Sequence, residues 1–123
     1  MGDAVGAVEW GCTVYELGPG EESRYHWHVG EEEWLLVLVG TPTLRTPDGE
    51  QPLRPWDLTV FPRGEAGAHQ LRNQTDGPVR AAFFSTVSDP EVVGYPDEDR
   101  IGVIAGWSRE AVRTIRGWVE EPT

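Results

Sequence analysis

The chain carries three histidines, and two of them, His26 and His28, are separated by a single residue in a segment rich in strand-forming side chains. Alternate residues of a strand project from one face, so both imidazoles point the same way. Glu33 follows five residues after His28 at the head of the apolar run 34–39, and His69 arrives from a distant segment behind a glycine-rich turn. Three imidazoles and one carboxylate brought together inside a barrel suit one divalent first-row ion, with Fe, Mn, Ni, Cu and Zn as the candidates. Strand parity puts Arg24 on the face of His26 and His28. There its guanidinium could clamp a carboxylate or phosphate of a ligand, or pair with an acid at the rim. Tyr25 and Trp27 point the other way and are expected in outer packing.

The elements that must carry these residues are short. With 15 Gly and 10 Pro, turn signals recur every several residues, and the stretches between them are rich in Val, Leu, Thr, Tyr, Phe and Trp. That is the spacing of an all-β barrel or sandwich. Strands are expected over 10–17, 23–28, 33–39, 43–46, 51–53, 58–61, 68–72 and 79–87. Pro19-Gly20 suits a type II turn and Pro47-Asp48-Gly49 a tight hairpin. In the run 33–39, Glu33, Leu35, Val37 and Val39 should line the interior. Trp34, Leu36 and Leu38 then form a second apolar surface that needs a cover, and a homodimer is the expected one. Cys12, Trp56, Phe83 and Phe84 read as packing residues. The segment 88–100 reads as an irregular acidic connection. Beyond it, Ser108 can cap a short C-terminal helix bearing Ala111, Val112 and Ile115, with Arg113 and Arg116 in its last turn before Gly117, serving as a lid or a dimer contact.

The spacing Gly20-x5-His26-x-His28-x4-Glu33-x6-Gly40 resembles the first motif of the cupin superfamily at every fixed position. The second cupin motif is represented by Pro62-Arg63-Gly64, His69 and Asn73, with two departures: Trp56 stands where a glycine is usual, and four residues rather than two separate Gly64 from His69. The resemblance covers roughly residues 10–87 and implies a small cupin jelly-roll β-barrel with His26, His28, Glu33 and His69 as metal ligands. The spacing to Gly40 selects Glu33 over Glu31 and Glu32, which are expected in a solvated acidic turn. Asn73 is expected to fix a turn.

Length, charge and composition narrow the rest. A chain of 123 residues fits one domain, with a barrel core about 10–87 and an extension 88–123. The net charge of -11 opposes nucleic-acid binding. All ten basic residues are arginine, so lysine Schiff-base chemistry is excluded. Neither a membrane-length apolar run nor a secretory signal is evident, and a cytoplasmic protein is expected. Four protein ligands leave one or two positions on the ion for water, dioxygen or a bidentate substrate. The leading expectation is therefore a metal-dependent enzyme, oxygenase-like, acting on a small polar or anionic molecule. A cupin isomerase would need an acid–base partner that the sequence does not display. A non-catalytic module binding a sugar or other small molecule is the remaining reading, because one scaffold hosts many functions.

Overall fold

The computed structural model describes residues 10–105 and the strand Ile115–Glu120. Its strands are β1 (Trp10–Leu17), β2 (Trp27–His28), β3 (Glu33–Val39), β4 (Thr43–Thr46), β5 (Gly49–Pro52), β6 (Leu58–Phe61), β7 (Gln70–Arg72), β8 (Val79–Thr86), β9 (Glu91–Tyr95), β10 (Arg100–Ala105) and β11 (Ile115–Glu120). Two single 3-10 turns, Glu65–Gly67 and Pro96–Glu98, interrupt them. One sheet has the order β1-β8-β3-β6, a second β11-β10-β9-β2 and a third β5-β4-β7. The bridges Glu22↔Arg72 and His26↔His69 stitch the last two together along the segment preceding β2. The three antiparallel sheets form the all-β arrangement that the motif resemblance implies. No described helix is long and apolar enough to cross a membrane.

Alternation sets the core. Leu35 and Val37 of β3 are fully buried and pack with Leu44, Leu53, Phe61, Leu71, Val79 and Ala81. Val39 departs from the expected interior position and is exposed. The pairing of β3 with β8 shifts between Val37, opposite Ala81, and Val39, opposite Arg80. A bulge of one extra residue reverses strand parity, so Val39 joins the solvent-facing Arg80. Gly40 follows with φ +85°, and a Cβ there would lie 2.4 Å from the Pro78 carbonyl oxygen. A turn that is both left-handed and this close to another backbone admits only glycine.

Two expectations need correction in the C-terminal third. The stretch 88–100 is not irregular: β9 lies within it, pairing with β2 on one side and β10 on the other. Buried Glu91 and Val93 alternate with Val92, a two-residue period that the flanking Asp89-Pro90 and Tyr95-Pro96 bends obscure in the sequence. The C-terminal helix is also overturned where the structure describes it. Ile115, Arg116 and Gly117 belong to β11, antiparallel to β10, and the remainder of that segment, 108–114, lies outside the described residues. A three-residue apolar spacing was too short to separate helix from strand where Ile, Trp and Val favour pairing.

Candidate metal centre

Each of the four expected ligands is positioned by backbone before any ion is considered. His26 and His69 face each other across an antiparallel bridge, His26 N–H donating to the His69 carbonyl at 3.1 Å and His69 N–H to the His26 carbonyl at 2.9 Å. Their rings therefore leave the same face, with centroids 4.6 Å apart. The two additional residues before His69 are absorbed by the 3-10 turn Glu65–Gly67, which Gly64 N–H anchors to the His28 carbonyl. Gly67 passes so near Pro62 that any side chain would overlap its carbonyl. The insertion thus lengthens the turn without moving His69 out of register. Phe61 backs the His69 ring in a parallel stack, centroids 3.7 Å apart.

The protons on these rings are assigned by their partners. His26 Nδ1 lies 2.8 Å from the Arg24 carbonyl and His69 Nδ1 2.8 Å from the Gly67 carbonyl. A carbonyl only accepts, so both Nδ1 atoms carry hydrogen and each neutral ring turns the Nε2 lone pair inward. His69 Nε2 is 2.7 Å from Glu33 Oε1, and His28 Nε2 is 3.3 Å from Glu33 Oε2. Lone pair against carboxylate is repulsive unless a positive charge, a proton or a metal ion, lies between. Ligand atoms of His26, Glu33 and His69 all fall within 4.8 Å of one another, and both ring nitrogens of buried His28 lack a hydrogen-bond partner. This donor set fits a divalent transition ion.

Burial and charge shape the site in opposite directions. Burial, aided by the neighbouring His69, lowers the His26 pKa to about 4. His26 is therefore neutral across the physiological range. Burial would raise Glu33, but the imidazoles of His28 and His69 beside it override that and hold the carboxyl well below the usual range. His28 is shifted upward because Glu33 and Glu31 outweigh its desolvation.

The centre opens into a cavity of about 460 Å³ walled by Tyr15, Leu17, Leu71, Phe83, Val93 and Ile104, with hydroxyls from Thr13, Ser23 and Ser85. Tyr15, 52% exposed, packs edge-on against Phe83 at 5.5 Å; partial desolvation and the Glu33 carboxylate shift its hydroxyl pKa upward. Arg24, expected on the inner face, is largely exposed and is not among the residues lining the cavity; its Nε lies 3.8 Å from Glu98 and its guanidinium 5.6 Å from the Tyr95 ring. Tyr25 supports Arg45 at 3.9 Å, and Trp27 covers Gly94, so both serve the outer packing expected of them. Asn73 is fully buried. Its amide donates to the Leu17 and Gly77 carbonyls and its oxygen accepts from Thr75, which fixes the turn before β8.

Sequence reasoning missed two wall residues. Glu31 is not in a solvated turn: its side chain is 14% exposed, it faces the cavity, and Oε1 lies 3.8 Å from His28 Nδ1. Glu91, in a segment read as a loop, is buried against the same histidine. Only the strand character of 91–95 could have revealed it.

Comparison with known proteins agrees with this geometry. The chain superposes with a TM-score of 0.86 on a sugar phosphate isomerase of the cupin superfamily from Silicibacter pomeroyi, at 28% identity over 98% of this chain and 73% of the other. A proposed sugar phosphate isomerase from Acidithiobacillus ferrooxidans matches at 30% identity and TM-score 0.80, covering 97% of this chain and 72% of its own. The tetracenomycin polyketide synthase protein TcmJ of Streptomyces glaucescens is 25% identical over 99 residues; the match spans 80% of this chain and 65% of that relative's length. The family model for the cupin domain matches residues 13–85, more than half of the sequence and all four ligand positions. The chain belongs to the cupin family.

Proposed function

We propose that the chain is a metal-dependent cupin enzyme of the isomerase type, acting on a small hydroxy-carbonyl compound with an anionic end. The observation that carries this reading is that His26, His28 and Glu33, with His69 in contact with Glu33, line a cavity sized for a small molecule that Tyr15 also lines. His26, His28, Glu33 and His69 hold the ion. When bound, the ion supplies Lewis acidity toward a carbonyl or hydroxyl oxygen. Tyr15 would donate a hydrogen bond to a substrate oxygen. The apolar walls, Leu71, Phe83 and Val93, exclude water and keep the reacting carbons in place. Arg24 at the mouth receives the phosphate or carboxylate end, in competition with Glu98. Oxygen chemistry was preferred from the sequence because no acid–base group was visible. Tyr15 adds a hydrogen-bond donor at the cavity wall, and the likeness to the two isomerases supports the change.

The enzyme works as a homodimer in the cytoplasm in this reading. The outer face of the β1-β8-β3-β6 sheet supports the dimer, and the single unpaired thiol, Cys12, suits a reducing compartment. The test is a panel of small sugar phosphates incubated with metal-loaded protein, read for aldose–ketose interconversion and for oxygen uptake. Interconversion that stops on chelation and consumes no oxygen is expected. Metal-dependent oxygen consumption would restore the oxygenase reading, and ligand binding without turnover would reduce the chain to a binding module.

A further inference from the structure

On the far side of His28 from Glu33 lies a second convergence of ligand atoms that the metal centre does not use. A ring nitrogen of His28 and carboxylate oxygens of Glu31 and Glu91 all fall within 4.8 Å of one another, and Nδ1 is the nitrogen turned to Glu31, at 3.8 Å from its Oε1. The three residues come from separate places: His28 ends β2, Glu31 lies between β2 and β3, and Glu91 begins β9. Each carboxylate is tethered by one oxygen only. Glu91 Oε1 accepts from Gly30 N–H at 2.8 Å and Val92 N–H at 2.7 Å, and Glu31 Oε2 accepts from Ser88 N–H at 3.0 Å. The other oxygens are left for the cluster. Glu91 is 2% exposed, and its Oε2, like Nδ1 of His28, is buried without a hydrogen-bond partner.

Two carboxylates held this close in a low-dielectric interior repel unless a proton or a metal ion shares the space, and the orphaned buried oxygen of Glu91 is a donor atom left for one. The backbone tethers prevent either side chain from relieving the repulsion by turning away. We propose that His28, Glu31 and Glu91 form a second divalent-cation site, adjoining the first through the imidazole of His28. Two carboxylates and one imidazole are a donor set suited to Zn²⁺ or Mn²⁺. With Nε2 committed to the first ion, Nδ1 can bind the second only by releasing its hydrogen to solvent. The second ion therefore binds more weakly than the first and expels one proton. The site stands independently of the reaction assigned to the first centre.

The test is Zn²⁺ binding to the full chain by equilibrium dialysis with elemental analysis, which needs no substrate. Wild-type protein is expected to take up two Zn²⁺ per chain, the second at least about tenfold weaker than the first. Glu91→Gln should take up one, with the tight equivalent unchanged. Should that variant fail to fold, Glu31→Gln reads the same loss. A single Zn²⁺ per wild-type chain, or a weaker equivalent that survives both substitutions, overturns the site and makes Glu31 and Glu91 partners of the His28 proton. Loss of turnover with both equivalents intact would count against the isomerase reading and leave this site standing.

Discussion

His69 lies flat against Phe61, ring centroids 3.7 Å apart and planes 10° from parallel, while its Nδ1 is held by the Gly67 carbonyl. Two constraints at right angles, one on the ring plane and one within it, leave Nε2 a single direction. Such supporting contacts govern metal affinity by roughly 10- to 100-fold. Replacing Phe61 with Leu keeps an apolar residue in the core but removes the flat support. The expected outcome is a loss of about 1 kcal/mol in stability by thermal unfolding and a fall of about tenfold in affinity of the tight metal equivalent by competition with a chelator. A fall in stability alone would mean that Phe61 only fills space.

The ligand set makes a harsher demand. In His26→Ala/His28→Ala, bound metal should drop to background while the β-sheet circular dichroism is kept, because neither side chain belongs to the apolar core. Full metal content would refute the assignment. The same histidines set the pH response. In the metal-free chain His28 is raised, so it still carries a proton where an ordinary imidazole has lost it, whereas His26, at about 4, is neutral throughout. Metal must displace the His28 proton, so affinity rises with pH through the upward-shifted His28 titration and levels off above it. Below that range it should fall by up to about tenfold per pH unit for one displaced proton. Titrations in buffers of differing ionisation enthalpy measure that proton directly.

How much of this was legible follows from which constraints are local. His26 and His28 share a face because of a two-residue period, and Gly40 is glycine because its turn is left-handed; both are visible in the spacing. The most instructive departure, Trp56, follows the same rule in reverse. It has φ +74° at the position where the family motif carries glycine, and its indole is 74% exposed. A left-handed conformation costs a non-glycine residue about 1–2 kcal/mol, partly offset because glycine would lose more chain entropy on folding, about 0.5–1 kcal/mol. Trp56→Gly should therefore raise the unfolding midpoint by about 3 °C, and a lowered midpoint would show that the indole makes a contact worth more than the strain. What could not be read were the partners decided by tertiary pairing. Glu91 reaches His28 only because β9 pairs with β2, and Val39 turns outward only because of a bulge against β8.

The outer face of the β1-β8-β3-β6 sheet carries cross-strand rows fixed by register. Cys12 lies opposite Phe84, Phe84 opposite Trp34, and Trp34 opposite Val60; one pair further along, Val14, Ala82, Leu36 and Leu58 repeat the pattern. Leu58, Val14 and Val60 are about half exposed. An apolar surface of this continuity marks an association face, and a twofold pairing of like faces is the simplest closed solution. Light scattering at micromolar concentration should return twice the chain mass of 13.7 kDa. Leu58→Asp should return the chain mass with the metal sites intact. A wild-type monomer would show that this face is covered from within the chain.

Arg24 decides whether the mouth of the cavity selects an anion. The chain's net charge of -11 disfavours an anionic substrate at long range, yet that field is screened over about 8 Å at physiological salt. The local cation then decides. The Arg24 guanidinium lies 5.6 Å from the ring of Tyr95, which is in turn 6.2 Å from the His26 ring. Two features weaken its hold. The side chain is 61% exposed, and Glu98 already shares its charge at 3.8 Å. A solvent-screened pair of this kind contributes about 1 kcal/mol, so Arg24→Leu should raise KM for a phosphate-bearing substrate about fivefold while kcat holds. The contrast that isolates the charge is the same substrate without its phosphate, whose KM should not move. Replacing the competing carboxylate, as Glu98→Gln, should act oppositely and lower KM for the phosphorylated form alone. Equal KM values for parent and Arg24→Leu on that substrate would leave Arg24 with its Glu98 and Tyr95 contacts and place the anion elsewhere.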